Sequence, residues 1–404
     1  MNRNGIFKAV LVLSLFILPV TVTGSGDIPA TDAEVHAVAE RVLSAEIINY
    51  MQAYYTGSNV EYRNTGGLQQ AIGLYPEYPR QITDSVGKTI TIFAPFQRVV
   101  AYQYHAVAPL GIEDRVVGVA NSILADSEVE PWALGKVNIG GGGPYEPDME
   151  KLLSCNPDCV LTYTRLGPGK EFFEDRLPPE IPVIRIDVIR PLTLPEEIQK
   201  LGYIFDGEED AAVYLEWYNG YIDEIKGRIS TIPENEKVRV FVDVWSSGNT
   251  GSITERRTAG SVDHYGRYCV DGGGINIAED LVDTTGTINA EWIAKENPDV
   301  ILCVAYSGGY QSTDIMDLKA PYDEWMNNHV FKDISAVKNN RVYVISFRHT
   351  NGPTYPSALA SVAKWFYPNM FSDLDPPAIH QEYIDTFLKA SFDIRSRGVY
   401  TYPV

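Results

Sequence analysis

Two stretches of the chain share one pattern: EKLLSCNPDCVL at residues 150–161 and EWIAKENPDVIL at residues 291–302. The two copies align without a gap, at an offset of 141 positions. Each copy has a helix-like stretch, then Asn-Pro-Asp, then an apolar run. Proline cannot continue a helix and biases the preceding residue towards extended conformations, so the same break is predicted twice. The repeat indicates two similar lobes.

Short β-branched runs alternate with helix-like stretches around both copies of the repeat. Continuous apolar runs of this kind are typical of parallel strands that are buried on both faces. The predicted strands are residues 98–101, 116–120, 159–163, 183–187, 238–244, 300–305 and 342–346. The predicted fold class is therefore α/β, with two Rossmann-like lobes built on parallel sheets.

A single long helix is predicted between the lobes. Apolar residues recur in steps of four and three at positions 211, 215, 218, 222, 225 and 229, which places them on one face of a helix over 210–230. Such a helix spans roughly 30 Å, about one lobe's diameter. A helix resists bending more than extended strands would, so we expect only small opening and closing of the lobes.

The N-terminal residues have the pattern of a secretory signal. Arg3 and Lys8 precede an apolar run over residues 9–22, and small residues follow it. This run is shorter than the roughly 20 residues that span a membrane. We expect an exported, extracytoplasmic protein, either released or anchored by an uncleaved N-terminal segment. The predicted units are a signal peptide (1–24), a helical extension and connector (25–81, with a helix over 31–56), an N-terminal lobe (82–194), a linker with the long helix (195–232) and a C-terminal lobe (233–404).

Charge and composition narrow the function classes. The chain has 404 residues, with 33 Lys and Arg against 53 Asp and Glu, a net charge of −20. This charge opposes binding to nucleic acid and to anionic lipid surfaces. The four cysteines could form two disulfides in an oxidising compartment, but Cys159 and Cys303 lie inside strand-like runs. We favour buried free thiols over disulfides for all four.

Aromatic and basic residues collect where predicted strands end. Ligands of open α/β sheets bind outside the carboxyl ends of the strands, so these residues are candidates for an interlobe cleft. A cleft of this kind suits a bulky, partly apolar ligand with negative charge or carbonyl oxygens. The alternative for each residue is ordinary packing. The candidates are Tyr102, Tyr104, His105, Tyr145, Tyr163, Arg165, Trp245, Arg256, Arg257, Tyr306, Tyr310, Arg348 and His349.

Signals for catalysis or metal binding are weak. The six histidines show no helix-spaced pair, and no zinc, nucleophile-elbow or kinase motif is present. The Gly140–Gly143 run lacks a following Lys-Ser/Thr, which favours a turn over a phosphate loop. We therefore expect no catalytic residues, no resident cofactor and no protein-held metal. His105, His264 and His349 remain an alternative set of metal or haem ligands.

Glu150 and Glu291 are the equivalent first residues of the repeat. One interpretation is that each carboxylate stabilises a helix N-terminus. The other is that both are exposed, one per lobe, and bind basic residues of a two-fold symmetric partner.

Several short motifs in this order resemble one transport family. They are TDSVGKT (83–89), RVV (98–100), the two repeat copies, GGGINIA (272–278) and KWFYPNMF (364–371). Over residues 82–390 the chain resembles the ABC-transporter substrate-binding proteins of the ferric-siderophore and cobalamin class. The resemblance implies the class III architecture, with two lobes bridged by one helix, and delivery of a ligand to a permease with its ATPase. It also implies that Glu150 and Glu291 dock on permease arginines.

The resulting hypothesis is a monomeric, exported solute-binding protein for a ferric siderophore. Cobalamin or another corrinoid is the first alternative, and haem ligated by His105 or His349 is the next. From other classes, the chain could be an exported metalloenzyme with a nitrogenase-like interlobe site, or a cell-surface interaction protein with an empty cleft. The stretch 245–268 is longer and more polar than the family pattern suggests.

Overall fold

The computed structural model describes residues 80–92, 95–141, 145–164, 169–179, 181–245 and 254–403. The predicted signal peptide, the helix over 31–56 and Arg165 lie outside the described residues.

The N-terminal lobe is built on a five-stranded parallel sheet with the order β5-β4-β3-β6-β7. An antiparallel pair, β1 with β2, precedes it. The strands are β1 (Arg80–Thr83), β2 (Thr89–Ile92), β3 (Val99–Ala101), β4 (Val116–Val119), β5 (Val137–Asn138), β6 (Cys159–Tyr163) and β7 (Val183–Ile186). The helices within it are α1 (Asn121–Ala125) and α2 (Met149–Ser154).

Two consecutive helices lead out of this lobe: α3 (Leu194–Phe205) and α4 (Glu208–Ile229). They are separated by Asp206, which has left-handed backbone (φ 50°), and Gly207. Acidic residues occupy the first turn of α4 and basic residues its last turn, which complements the helix dipole. The helix predicted over 210–230 is therefore confirmed, starting two residues earlier.

The C-terminal lobe has a second five-stranded sheet, ordered β10-β8-β12-β13-β14, in which only β14 is antiparallel. A separate antiparallel pair joins β9 and β11. The strands are β8 (Arg239–Trp245), β9 (Glu255–Ala259), β10 (Ile275–Asn276), β11 (Thr285–Asn289), β12 (Val300–Ala305), β13 (Val342–Ser346) and β14 (Thr401–Tyr402). The helices are α5 (His264–Asp271), α6 (Ala290–Glu296), α7 (Met316–Asn327), α8 (Ser335–Lys338), α9 (Phe347–Thr350), α10 (Tyr355–Phe366) and α11 (Pro376–Tyr383), with a π-helical turn at Ile384–Leu388.

The predicted α/β fold class is confirmed, because each predicted strand is present to within one residue at each end. Every residue of β6 and of β12 is buried, which explains why these runs are apolar without alternation. Helix α4 contacts both α3 and α10, so it connects the two lobes.

The repeat has the same structure in both lobes. The backbone N–H of Asp158 donates to the Arg98 carbonyl (2.9 Å), and that of Asp299 donates to the Arg239 carbonyl (2.8 Å). In return each aspartate carboxylate accepts from the backbone N–H of the same arginine, at 3.0 Å in both lobes. Asn156 and Asn297 have left-handed backbone, with φ of 46° and 51°. Arg98 and Arg239 also lie 141 positions apart, so the repeat extends to the first strand of each sheet.

All four cysteines, Cys155, Cys159, Cys269 and Cys303, are free and buried. They fill the core as small apolar side chains, as predicted. Within the described part of the chain, no helix is long and apolar enough to cross a membrane.

Candidate ligand cleft

Each sheet has a topological switch point, where the strand order reverses. In the N-terminal lobe β3 is followed by β4 on one side, whereas β6 lies on its other side. In the C-terminal lobe the same holds for β8, with β10 on one side and β12 on the other. Crevices for ligands form at the carboxyl ends of such strand pairs. The residues at these ends are Tyr102 to His105, Tyr163, Trp245 and Tyr306, all within predicted site segments.

The N-terminal wall of the cleft is a group of stacked rings. Tyr104 stacks on His105 with 4.2 Å between ring centroids. The edge of His105 faces Tyr163 at 6.5 Å. Tyr102 is fully buried, and its hydroxyl donates to the carbonyl of Tyr145, whose own ring is 72% exposed. Tyr102 therefore supports the wall, while Tyr104, His105 and Tyr163 form it.

His105 is neutral at physiological pH. The amide Nε2 of Gln103 donates to His105 Nδ1 at 3.1 Å, which leaves the imidazole proton on Nε2. Burial lowers the pKa of His105 to about 4. The residue can therefore offer a ring face and a neutral N–H to a ligand, but not a positive charge.

The C-terminal wall is also aromatic. Tyr306 stacks on Phe347 with 5.1 Å between centroids, and Tyr265 contacts the same ring at 5.8 Å. The Tyr265 hydroxyl donates to that of Tyr306 at 2.8 Å. Burial and this hydrogen bond raise the pKa of Tyr265 above its ordinary value. Since Tyr306 is 42% exposed, this wall presents a ring to an incoming ligand.

Two predicted site residues are turned into the protein instead. The guanidinium of Arg256 is 4% exposed, pairs with Asp243 and Glu324, and lies over the ring of Trp325. Trp245 is also buried, and its Nε1 donates to the same Glu324 at 3.2 Å. A buried charge needs such partners, so this cluster holds β8, β9 and α7 together.

Arg257, the next residue in β9, has a different environment. It is half-buried, and its charge lowers the pKa of Tyr265 against the larger effect of burial. Among the described residues, no carboxylate forms an ion pair with Arg257. Arg257 is therefore a cation available beside the aromatic wall.

The two lobes meet around the segment 347–352. The Arg348 Nη1 lies 3.2 Å from Asp126 Oδ2, and Gln311 Nε2 donates to Asp126 Oδ1 at 2.7 Å. A Cβ added at Gly352, where φ is 71°, would lie 3.1 Å from His105 Cδ2. Segment 347–352, which carries Phe347 of the C-terminal wall, therefore also contacts His105 of the N-terminal wall.

Tyr310 and His349 belong to a separate group of rings. The Tyr310 hydroxyl and His380 Nε2 form a hydrogen bond of 2.6 Å, and His349 stacks on His380 with centroids 4.6 Å apart. Tyr400 closes the group at 5.1 Å from His380. Burial lowers the pKa of His349 to about 3 and that of His380 well below its ordinary value. Both imidazoles are therefore neutral packing elements between α9, α11 and the C-terminal segment.

The described residues contain no group of three or more His, Cys, Asp or Glu that could hold a metal ion.

Sequence comparison decides the family. The family model described as periplasmic binding protein matches residues 100–348. The chain belongs to the periplasmic binding protein family. This match confirms the resemblance carried by the motifs and the prediction of a binding protein rather than an enzyme.

Solved structures share the fold of this periplasmic binding protein. A TroA-like periplasmic binding protein, FepB, from Veillonella parvula is 22% identical with a TM-score of 0.63, and the match covers 80% of this chain and 99% of that one. The molybdate periplasmic binding protein MolA of Haemophilus influenzae is 18% identical with a TM-score of 0.60, over 78% and 99% of the two chains. An ABC-type Fe3+-hydroxamate transport system from Saccharomonospora viridis is 19% identical with a TM-score of 0.53, over 72% and 99%. No curated protein matches the chain in sequence.

The two repeat glutamates of this periplasmic binding protein are exposed and lie in the first turns of α2 and α6. The helix caps are made by other residues: Asp148 accepts from the Lys151 N–H at 3.1 Å, and Asn289 accepts from the Glu291 N–H at 2.8 Å. Both helices run back to the start of a parallel strand, so their first turns lie at the carboxyl-end edge of each sheet.

Phe347, in the C-terminal wall, and Asp126, in the contact between the lobes, were not predicted from the sequence. Phe347 directly follows β13, so the rule that selected Arg348 and His349 could have included it. Asp126 follows the short helix α1, and its role depends on residues of the other lobe.

Proposed function

We propose that this periplasmic binding protein is exported, captures a ferric siderophore between its lobes and delivers it to an ABC importer. The observation that supports the proposal is an aromatic wall in each lobe, with segment 347–352 of the C-terminal lobe in contact with His105 of the N-terminal wall. Aromatic faces and a nearby guanidinium suit the apolar body and oxygen-rich metal centre of a chelate. The chelator, rather than the protein, would ligate the iron.

The similar structures support a metal-containing ligand. The Saccharomonospora protein is described as part of an Fe3+-hydroxamate transport system, and the Haemophilus protein as bound to molybdate. The partners in this proposal are a permease dimer and its ATPase, with the binding protein acting as a monomer. Export would depend on residues 1–24.

The first experiment identifies the natural ligand. The protein, exported by its own N-terminal segment, would be purified without added ligand, and its visible absorption spectrum and native mass spectrum recorded. We expect a co-purifying iron chelate with a charge-transfer band. A corrinoid or haem spectrum would instead support the corresponding alternative.

The second experiment ranks added ligands by quenching of Trp and Tyr fluorescence. The probes are a ferric tris-hydroxamate, a ferric tris-catecholate, cobalamin and haemin, with free tryptophan as the control for light absorbed by the probe. We expect saturable quenching by a ferric chelate at micromolar concentration or below. If none of the four probes quenches or raises the melting temperature, the proposed function is wrong.

A further inference from the structure

One carboxylate of the N-terminal lobe contacts two side chains of the C-terminal lobe. Asp126 accepts from Gln311 Nε2 at 2.7 Å through Oδ1, and its Oδ2 pairs with Arg348 Nη1 at 3.2 Å. Two residues further on, Glu128 forms an ion pair with Arg397. The short segment 126–128 is therefore tied to three separate segments of the other lobe.

The two ion pairs differ in burial. Both Glu128 and Arg397 are exposed, and an exposed pair contributes little to stability. Asp126 is only 7% exposed, and its contacts are charge-assisted hydrogen bonds, which are stronger than neutral ones. Because its partners lie on the opposite lobe, these contacts form only when the lobes approach each other.

The position of Arg348 connects this contact to the ligand cleft. Arg348 follows Phe347, the ring on which Tyr306 stacks, and half of its side chain is exposed. A negatively charged ligand that reached this half-exposed guanidinium would compete with Asp126 for it. In the structure, one Nη of that guanidinium is already paired with Asp126.

We propose that Asp126 is a positioning residue that closes the cleft without ligand and selects against ligands with several negative charges. It does so by holding Arg348 from the opposite lobe and by placing its own negative charge at the cleft. Selection among ligands rests on the proposed function, whereas closure of the empty cleft does not. The favoured class is a neutral ferric tris-hydroxamate, and the disfavoured class is a ferric tris-catecholate, which carries three negative charges.

Closure of the empty cleft can be tested without any ligand. Spin labels would be attached through Leu134→Cys and Val262→Cys, two exposed positions on different lobes. The native cysteines are buried, so labelling is selective. Pulsed electron resonance then gives the distribution of interlobe distances in the ligand-free protein.

Asp126→Asn keeps an acceptor for Gln311 and removes the charge. We expect the ratio of open to closed molecules to rise about tenfold, the effect of losing one charge-assisted contact. Glu146→Gln is the matched control, because its partner Arg176 lies in the same lobe. Arg348→Gln breaks the same contact from the other side, should Asp126→Asn fail to fold. If the folded variants show the same interlobe distance distributions as wild type, Asp126 does not hold the empty cleft closed.

Selection is tested by titrating wild type and Asp126→Asn with the two ferric chelates. We expect the variant to gain about tenfold in affinity for the tris-catecholate relative to the tris-hydroxamate, since one repulsive charge is removed and one guanidinium is released. If the ratio of tris-catecholate to tris-hydroxamate affinity is the same in both proteins, Asp126 does not select between these ligands. If neither chelate binds either protein, the proposed function is wrong. The interlobe distances of the ligand-free protein would still show whether Asp126 closes the empty cleft.

Discussion

At the residue scale, Tyr306 makes the clearest contribution to the candidate cleft, because its stacked ring is 42% exposed. We predict that Tyr306→Ala lowers affinity for the proposed chelate ligand about tenfold, since it removes one ring face and uncovers Phe347. Fluorescence titration would measure the loss.

Tyr203→Ala is the matched control for this substitution. Tyr203 has the same 42% exposure but lies in α3, on the surface of the N-terminal lobe. We expect Tyr203→Ala to bind the chelate with wild-type affinity. Equal losses in the two variants would show that the effect is not specific to the cleft wall.

Three neutral histidines, of which His349 and His380 are buried and His105 is half-buried, make stability depend on pH. Burial lowers the pKa of His105 to about 4, of His349 to about 3, and of His380 well below its ordinary value. Below about pH 6.5 these histidines bind protons in the unfolded chain but remain neutral in the folded protein. The free energy of unfolding therefore falls as the pH falls. Glu130 acts in the opposite direction, because burial raises its pKa to about 8.

A substitution isolates the contribution of one histidine. Nδ1 of His349 has no hydrogen-bond partner among the described residues, so His349→Leu loses no such contact there. We predict that the variant reduces the acid-induced loss of unfolding free energy by up to about 1.4 kcal/mol per pH unit between pH 6.5 and 5. Urea unfolding at pH 7.5, 6.5 and 5.5 would measure it. His329 is exposed, so His329→Leu is the control and should show the wild-type dependence of unfolding free energy on pH. The same dependence in His349→Leu would show that the His349 imidazole is charged in the folded state.

At the element scale, the Asn-Pro-Asp turns attach a helix end to the first strand of each sheet. We predict that Asp158→Ala and Asp299→Ala each lower the free energy of unfolding by about 1–3 kcal/mol, because the backbone N–H of Arg98 or Arg239 loses a charged acceptor. Chemical denaturation would measure the loss.

The two turns lie on different lobes and share no partners, so their effects should add. Asp333→Ala is the control, since Asp333 forms an exposed ion pair with Lys338. A loss as large in Asp333→Ala would contradict the role of the turns.

The strands that the sequence predicted best are those buried on both faces. The apolar runs of β6 and β12 predict these strands directly, because a strand that is buried on both faces has apolar residues throughout. By contrast, β9 reads ERRTA and β11 reads TGTIN, and neither has such a run. Their strand conformation depends on pairing with each other, which no local pattern indicates.

At the scale of the whole molecule, the repeat places one exposed glutamate on each lobe. We predict that Glu150→Ala combined with Glu291→Ala leaves ligand affinity unchanged and abolishes uptake, because neither residue lies in the cleft and both would contact the permease. Uptake of labelled chelate by cells and titration of the purified protein would test this.

A control for docking combines Glu209→Ala with Glu234→Ala, which removes two exposed carboxylates elsewhere. That protein should support normal uptake. Normal uptake by the Glu150 and Glu291 double variant would exclude docking and leave both residues as helix-start carboxylates.

The candidate site was predictable only as a set of positions. The prediction from strand ends selected Tyr104, His105 and Tyr163, whose rings contact one another in the N-terminal lobe, and Tyr306, which stacks on Phe347 in the C-terminal lobe. It also selected Arg256, whose side chain points to Asp243 and Glu324 because β9 runs past β8 with that face inward. Which side of a strand faces the cleft depends on pairing register, which the local sequence does not state.

The sequence alone determined the two-lobed α/β architecture, the long helix and the equivalence of Glu150 and Glu291. These features are encoded locally, in apolar runs, a helical period and a repeated proline break. Only the tertiary structure decided which cations are available: Arg256 is buried in a network, Arg348 is held by Asp126, and Arg257 lies beside the aromatic wall. The reason is physical, since the availability of a charge depends on partners far apart in the chain, and folding alone brings them together.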